Sequence, residues 1–79
     1  MTTTTRSIGE IAIEIRKTWK NVSFGAAPYL DAMRYLNTVN DMYYHDTAKS
    51  ILNYFLANAS TFRGEDAKRI KLEIKAMLK

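Results

Sequence analysis

The residues that could carry out chemistry are few, and the first candidates are His45 and Asp46. His45 is the only histidine in the chain, and Asp46 follows it directly. Together with a serine, such a pair could supply the base and the orienting acid of a hydrolase triad. However, no serine stands in a nucleophile elbow or beside a glycine-rich turn that would form an oxyanion hole. The pattern favours the simpler interpretation that Asp46 caps a helix, and we expect no enzymatic activity.

Metal and cofactor chemistry has equally little support. The chain has no cysteine, which excludes a thiolate nucleophile and any cysteine-based zinc site. A carboxylate site for a hard cation would need several acids that converge, but Asp31, Asp41 and Asp46 are spread over a helix and a loop. The three glycines are too scattered for a phosphate loop. We therefore predict neither a metal nor a cofactor.

Aromatic and basic side chains are the strongest candidates for binding. Tyrosines 35, 43, 44 and 54 exceed what the apolar stripes of the helices require, and a ring with a hydroxyl tip suits both interfaces and stacked bases. For Tyr43 and Tyr44, packing and binding stay equally open. A lysine stripe towards the end of the chain could contact phosphates or could simply keep the protein soluble. The predicted binding set comprises Tyr43, Tyr44, Arg34, Arg63, Lys68, Lys71 and Lys75.

A second set of residues is predicted to form an interface with a partner or with another copy of the chain. Ile13 and Leu72 are apolar, but they lie off the buried faces of their helices. Tyr35 and Tyr54 are added because of their amphipathic rings. These four residues make a homo-oligomer one expected state of the protein.

Size and composition define the class of protein. At 79 residues with 47% hydrophobic content, the chain has room for one core and is too short for two stable domains. The net charge is +4, and the basic surplus lies at both ends of the chain. General binding of nucleic acid by the first and last helices is therefore an alternative function. No apolar run approaches the roughly 18 residues that a membrane span needs, so no membrane association is expected.

Local signals mark four helical stretches, which predict an all-α fold: a compact bundle of three to four short helices. Ser7 and Glu10 have the spacing of a capping box before the first helix. Pro28 fits the first turn of the second helix, and Asp46 is a good N-cap for the third. The predicted helices are 8–21, 27–37, 46–59 and 63–78. Residues 1–7 are predicted to be a flexible, disordered tail, and 8–79 a single helical domain. The aromatic-rich connection 37–46 is assigned no element.

Three segments resemble a group of small bacteriophage and prophage proteins of uncharacterised function. They are IGEIAIEIR (8–16), WKNVSFGAAPYLDAM (19–33) and ILNYFLANASTFRGEDAKRIK (51–71). The likeness covers nearly the whole of residues 8–78, but its motifs are packing and capping patterns and identify no functional residue. The resemblance implies a small accessory protein in the cytoplasm of an infected or lysogenic bacterium.

The resemblance also shapes the functional expectation. Phage accessory proteins of this size often block a host enzyme, cover a defence complex or sequester a nucleotide signal. We expect a non-catalytic binding protein that interferes with a host factor, with an anti-defence role as one form. Its partner would be a host protein or a nucleotide ligand, and nucleic acid is the alternative.

Overall fold

The computed structural model describes residues 6–79, which form four α-helices and one short antiparallel hairpin. In chain order these are α1 (Ile8–Thr18), α2 (Ala27–Met33), β1 (Met42–Tyr43), β2 (Asp46–Thr47), α3 (Ala48–Ala57) and α4 (Glu65–Met77). The all-α prediction is confirmed for these residues. The hairpin occupies the connection to which the sequence assigned no element. Residues 1–5 of the predicted tail lie outside the described residues.

The start of α1 is held by its predicted capping box. The Ser7 hydroxyl accepts a hydrogen bond from the Glu10 amide at 3.1 Å, and the Ser7 amide donates to Glu10 Oε1 at 2.9 Å. This reciprocal pair satisfies backbone donors that every helix start leaves without an intrahelical acceptor. The prediction from the Ser7 and Glu10 spacing is therefore confirmed.

The first two amides of α1 are satisfied by a distant part of the chain. The amides of Ile8 and Gly9 donate to the carbonyls of Asn37 and Leu36 at 3.0 and 2.9 Å. The helix start therefore rests on the segment that leaves α2. A Cβ atom on Gly9 would lie 2.9 Å from the Arg34 carbonyl oxygen, so only glycine permits this approach without a backbone shift.

All four helices are shorter than predicted. α1 ends at Thr18 because Trp19 adopts an extended backbone and turns its indole into the core. α2 ends at Met33, and residues 34–36 continue as a tight turn with hydrogen bonds between residues three apart. α4 begins at Glu65, after Gly64 at a φ of 109°, and ends at Met77.

The predicted N-cap of the third helix was wrong. Asp46 pairs with Tyr43 in the hairpin, and the N-cap is Thr47, whose hydroxyl accepts from the Ser50 amide at 3.1 Å. Asp46 and Thr47 are both good capping residues, and the strand pairing decides between them.

Within the core, Trp19 connects the end of α1 to α3 and to the loop that follows α3. Its ring stacks on Phe62 with centroids 5.0 Å apart and meets Phe55 edge to face at 6.2 Å. Among the described residues every side chain of the buried core is hydrophobic. The core comprises Ile8, Ile11, Ala12, Ile15, Trp19, Ala26, Leu30, Ala32, Met33, Leu36, Ala48, Ile51, Leu52, Phe55, Ala59, Phe62, Ala67, Ile70 and Ile74. Packing alone therefore holds this interior together.

An ion-pair network joins the N-terminal segment, α1 and α4. Arg6, within the predicted tail, contacts Glu14 of α1 at 2.5 Å and Glu73 of α4 at 2.6 Å. Arg69 contacts the second oxygen of Glu14 at 2.6 Å and Asp66 at 3.2 Å. The hydrogen bond from Arg69, followed by that from Arg6, holds the pKa of Glu14 below its usual range. Glu14 therefore links both arginines.

We predict that Gly9→Ala destabilises the protein. The added methyl group would meet two backbone oxygens, those of Arg34 and Leu36, which cannot rotate away as a side chain would. Overpacking should outweigh the better helix propensity of alanine and lower the free energy of unfolding by about 1 to 2 kcal/mol. Urea denaturation measures this change, with exposed Lys17→Ala as the control in the same helix. A Gly9→Ala protein as stable as the wild type would contradict the close approach.

We also predict a pH-dependent role for Glu14. Because its pKa is lowered by folding, its contribution is fully present above the unfolded value of about 4.5 and is lost as the pH falls through the folded value. Glu14→Gln should therefore cost about 1 kcal/mol near neutral pH, and the gap to the wild type should close at low pH. Denaturation curves from about pH 7 to pH 3 test this. A gap that stays constant over this range would refute it.

Candidate functional site

The hairpin that carries Tyr43 and Tyr44 is held in place by Asp41. The Asp41 carboxylate accepts hydrogen bonds from the amides of Asn37 and Thr38 at 2.7 and 3.2 Å. These two backbone donors, Asn37 first, lower the pKa of Asp41. The Asp41 carbonyl in turn accepts from the Ala48 amide at 2.9 Å, at the start of α3. Asp41 thereby connects the end of the α2 segment to both sides of the hairpin.

The hairpin turns within two residues, and the turn is strained. Met42 pairs with Thr47 and Tyr43 with Asp46, which leaves Tyr44 and His45 as the loop. Tyr44 has a φ of 57°, the only positive φ among the described non-glycine residues. A bulky residue in this region costs roughly 1 to 2 kcal/mol, and glycine would normally occupy the position. The turn therefore carries an aromatic side chain at a position where glycine would cost less conformational energy.

Three tyrosine rings meet at the hairpin and form what we call the tyrosine surface: Tyr35, Tyr43 and Tyr44. The rings of Tyr35 and Tyr43 stack with centroids 6.0 Å apart and an interplanar angle of 22°. Tyr44 meets Tyr43 edge to face at 4.7 Å. Tyr35 and Tyr44 are 71% and 83% exposed, whereas Tyr43 is partly buried against the core. The outer two rings of the cluster are therefore open to solvent.

A basic groove begins next to this cluster. It is a shallow depression of about 300 Å³ lined by Ile13, Arg16, Lys17 and Arg34. Arg34 and Tyr35 are consecutive, so their Cα atoms lie about 3.8 Å apart. Arg16 is paired with Asp31, whereas Lys17 and Arg34 have no carboxylate within ion-pair distance among residues 6–79. Within residues 6–79, Lys17 and Arg34 are therefore unpaired cations of this groove, and Arg34 directly precedes Tyr35 in the chain.

The structure places the other predicted basic residues around α4. Arg63, Lys68 and Lys71 line another depression of about 300 Å³, and Lys75 lies exposed further along the helix. Lys71 is engaged within the protein: its Nζ donates to the carbonyls of Ala59 and Phe62 at 2.8 and 2.7 Å. Burial, together with the neighbouring Lys75 and Arg63, lowers the pKa of Lys71. Lys71 thus supports the loop between α3 and α4.

The remaining candidates are dispersed. Tyr54 of α3 is half exposed and stacks on Tyr29 with ring centroids 5.5 Å apart. Leu72 is 62% exposed on the outer face of α4. His45 and Asp46 are both exposed at the hairpin. Of the four predicted interface residues, Tyr35 joins the tyrosine surface and Ile13 joins the basic groove.

Two further observations concern function. Across residues 6–79, no group of three or more His, Cys, Asp or Glu side chains is arranged to hold a metal ion. No helix in this part of the chain is long and apolar enough to cross a membrane.

Comparison with known proteins identifies no relative. No family model, no curated protein and no solved structure matches the chain.

Sequence reasoning missed two residues that shape the surface. The Asp41 carboxylate accepts from the amides of Asn37 and Thr38, four and three residues earlier in the chain. Aspartate commonly makes such local contacts in turns, and several aspartates of this sequence could do so. Phe24 is 98% exposed in the α1–α2 loop, between Ser23 and Gly25. A phenylalanine flanked by turn residues is the signal that could have found it.

We predict that Tyr44→Gly is more stable than Tyr44→Ala by about 1 kcal/mol, because both remove the ring but only glycine adopts a positive φ without strain. Thermal or urea denaturation compares the two variants. The same pair of substitutions at Tyr35, where φ is not positive, is the matched control and should not favour glycine. An equal preference at both positions would argue against strain at Tyr44.

Proposed function

We propose that the protein is a non-catalytic binding protein whose tyrosine surface and basic groove contact the partner. The observation that carries this proposal is a cluster of three rings in which Tyr43 is partly buried and holds the exposed rings of Tyr35 and Tyr44, the latter on a strained backbone. Strain of this kind persists where the surrounding structure holds it, and it is concentrated at functional positions. Exposed aromatic clusters are likewise enriched at binding sites.

The partner that fits this surface best combines flat rings with negative charge. The tyrosine rings offer faces for stacking, and the unpaired cations of Lys17 and Arg34 lie on the adjoining groove. An arginine guanidinium can bind a phosphate through two parallel hydrogen bonds. This combination supports a nucleotide ligand, in keeping with sequestration of a nucleotide signal.

The biological setting of the proposal comes from the resemblance to phage accessory proteins. In that setting, the protein acts in the cytoplasm of a bacterial host and interferes with a host factor. Sequestration of a signal nucleotide and direct inhibition of a host protein are its two forms. An anti-defence role follows if that factor belongs to antiviral defence.

Nucleic-acid binding by the basic faces of α1 and α4 is the alternative. It has less support, because Lys71 donates to backbone carbonyls and both Arg16 and Arg69 are paired with acids. Lys68 and Lys75 remain exposed on α4, and Lys79 is exposed just beyond its end. Such binding would weaken steeply with salt, which distinguishes it from stacking on the tyrosines.

We predict that wild-type protein binds a nucleotide from a panel of cyclic and linear nucleotides in calorimetry. Tyr35→Ser and Tyr44→Ser should each weaken this binding roughly tenfold, since loss of one stacked ring costs about 1 to 3 kcal/mol. Arg34→Ala should weaken it to a similar extent, because the guanidinium that binds the phosphate is lost. Leu72→Ser is the matched control, because Leu72 is similarly exposed but lies on α4. It should bind like the wild type.

A second measurement covers the other form of the proposal. Phage plating on a bacterial host that carries a defence system should rise with expression of the wild type and fall back with Tyr44→Ser. If no nucleotide binds but plating still depends on Tyr44, direct inhibition of a host protein is the surviving form. If the surface variants match the wild type in both assays, the proposal fails.

A further inference from the structure

A second surface differs sharply from the tyrosine surface in that the two chain segments that form it contain no charged residue; Lys71 of α4 binds the carbonyls of Ala59 and Phe62 within the second segment. Residues 21–30 and 50–62 contain no Asp, Glu, Lys, Arg or His, so the other 56 residues carry all twenty charged side chains. Charged residues border both segments: Lys20 and Asp31 flank the first, and Lys49 and Arg63 flank the second. In a chain with 25% charged residues, two uncharged segments of this length are a marked departure from the rest.

The fold brings the two segments together. The first contains the loop before α2 and most of α2, and the second contains most of α3 and the loop after it. Ser23 Oγ donates to the Asn58 carbonyl at 2.8 Å. The rings of Tyr29 and Tyr54 stack across the two helices. The result is one continuous patch, which we call the uncharged face: Phe24, Pro28, Tyr29, Tyr54, Ala57 and Asn58.

The loop that carries Phe24 packs closely against the edge of this face. A Cβ atom on Gly25 would lie 2.7 Å from Asn58 Oδ1, so the loop is packed tightly against the end of α3. The Asn58 side-chain amide is itself fixed by donating to the Tyr54 carbonyl at 2.8 Å. Phe24 nevertheless remains 98% exposed, and Tyr54 in the second segment is 54% exposed. A fixed loop that presents a fully exposed phenylalanine has the character of an interface anchor.

We propose that the uncharged face is a self-association interface through which two copies of the chain form a symmetric dimer. Each copy has a net charge of +4, so most approaches of two copies oppose like charges. The uncharged face avoids this repulsion, and depletion of charge with enrichment of aromatic rings is typical of interface cores. In a two-fold arrangement the same patch serves both partners, and Phe24 of one copy packs on the aromatic rings of the other.

Self-association would add to the stability of the chain. Burial of Phe24 also gives a 79-residue domain additional apolar contact, which a small core needs. This inference does not depend on the proposed function, because it uses different residues.

Sedimentation equilibrium of the full chain over a range of concentrations tests the proposal. The wild type should approach twice the 9.1 kDa mass of one chain. Phe24→Asp should shift the equilibrium to the monomer, with a dissociation constant raised at least about tenfold, because the interface would have to bury a carboxylate. Phe24 makes little contact within its own chain, so circular dichroism should show an unchanged fold. Ala57→Glu, at a second exposed position on the same face, should have the same effect.

Tyr44→Asp is the matched control, since it places the same charge on an exposed aromatic position of the tyrosine surface. It should remain dimeric. A wild type that is monomeric up to about 1 mM, the weak end of specific association, overturns the proposal, even if another protein binds the face. A dimer that survives both Phe24→Asp and Ala57→Glu overturns it as well.

Discussion

The contact between the start of α1 and the chain leaving α2 is the constraint on which the rest of the structure depends. The amides of Ile8 and Gly9 have no acceptors within their own helix, and the carbonyls of Leu36 and Asn37 supply them. This contact fixes Asn37, whose own amide is bound by Asp41. Asp41 then anchors the hairpin beside the turn that follows α2. As a result, Tyr35 and Tyr43, which come from different elements, stack at the junction.

The parts of the fold that sequence could predict are those fixed by local rules. The number and order of the helices follow from apolar spacing, and the start of α1 follows from the Ser7 and Glu10 capping box. The hairpin could not be predicted, because its loop of Tyr44 and His45 lacks the glycine or asparagine that marks such turns. It forms because Asp41 holds its base from outside, and this tertiary contact also moves the cap of α3 from Asp46 to Thr47.

For the candidate site, too, local patterns in the sequence were informative and tertiary contacts could not be predicted. The surplus of tyrosines made Tyr43 and Tyr44 candidates for binding, and Tyr35, predicted separately as an interface residue, stacks on Tyr43 in the structure. Lys71 illustrates what periodicity cannot resolve. Its spacing places it with the exposed lysines, yet two carbonyls in the loop after α3 bind its ammonium group. Which lysine meets those carbonyls depends on how α4 packs, and no local pattern encodes that packing.

The two exposed aromatic surfaces differ in chemistry, and this difference assigns them different partners. The tyrosine surface has hydroxyl groups and adjoining cations, whereas the uncharged face has neither cations nor anions. A negatively charged ligand is attracted electrostatically to the tyrosine surface and its adjoining cations but not to the uncharged face. The uncharged face and the tyrosine surface share no residue, so a dimer formed through the first need not cover the second. Such a dimer would present two identical binding sites, and a bivalent or symmetric ligand would then bind more tightly through effective concentration than through any added contact.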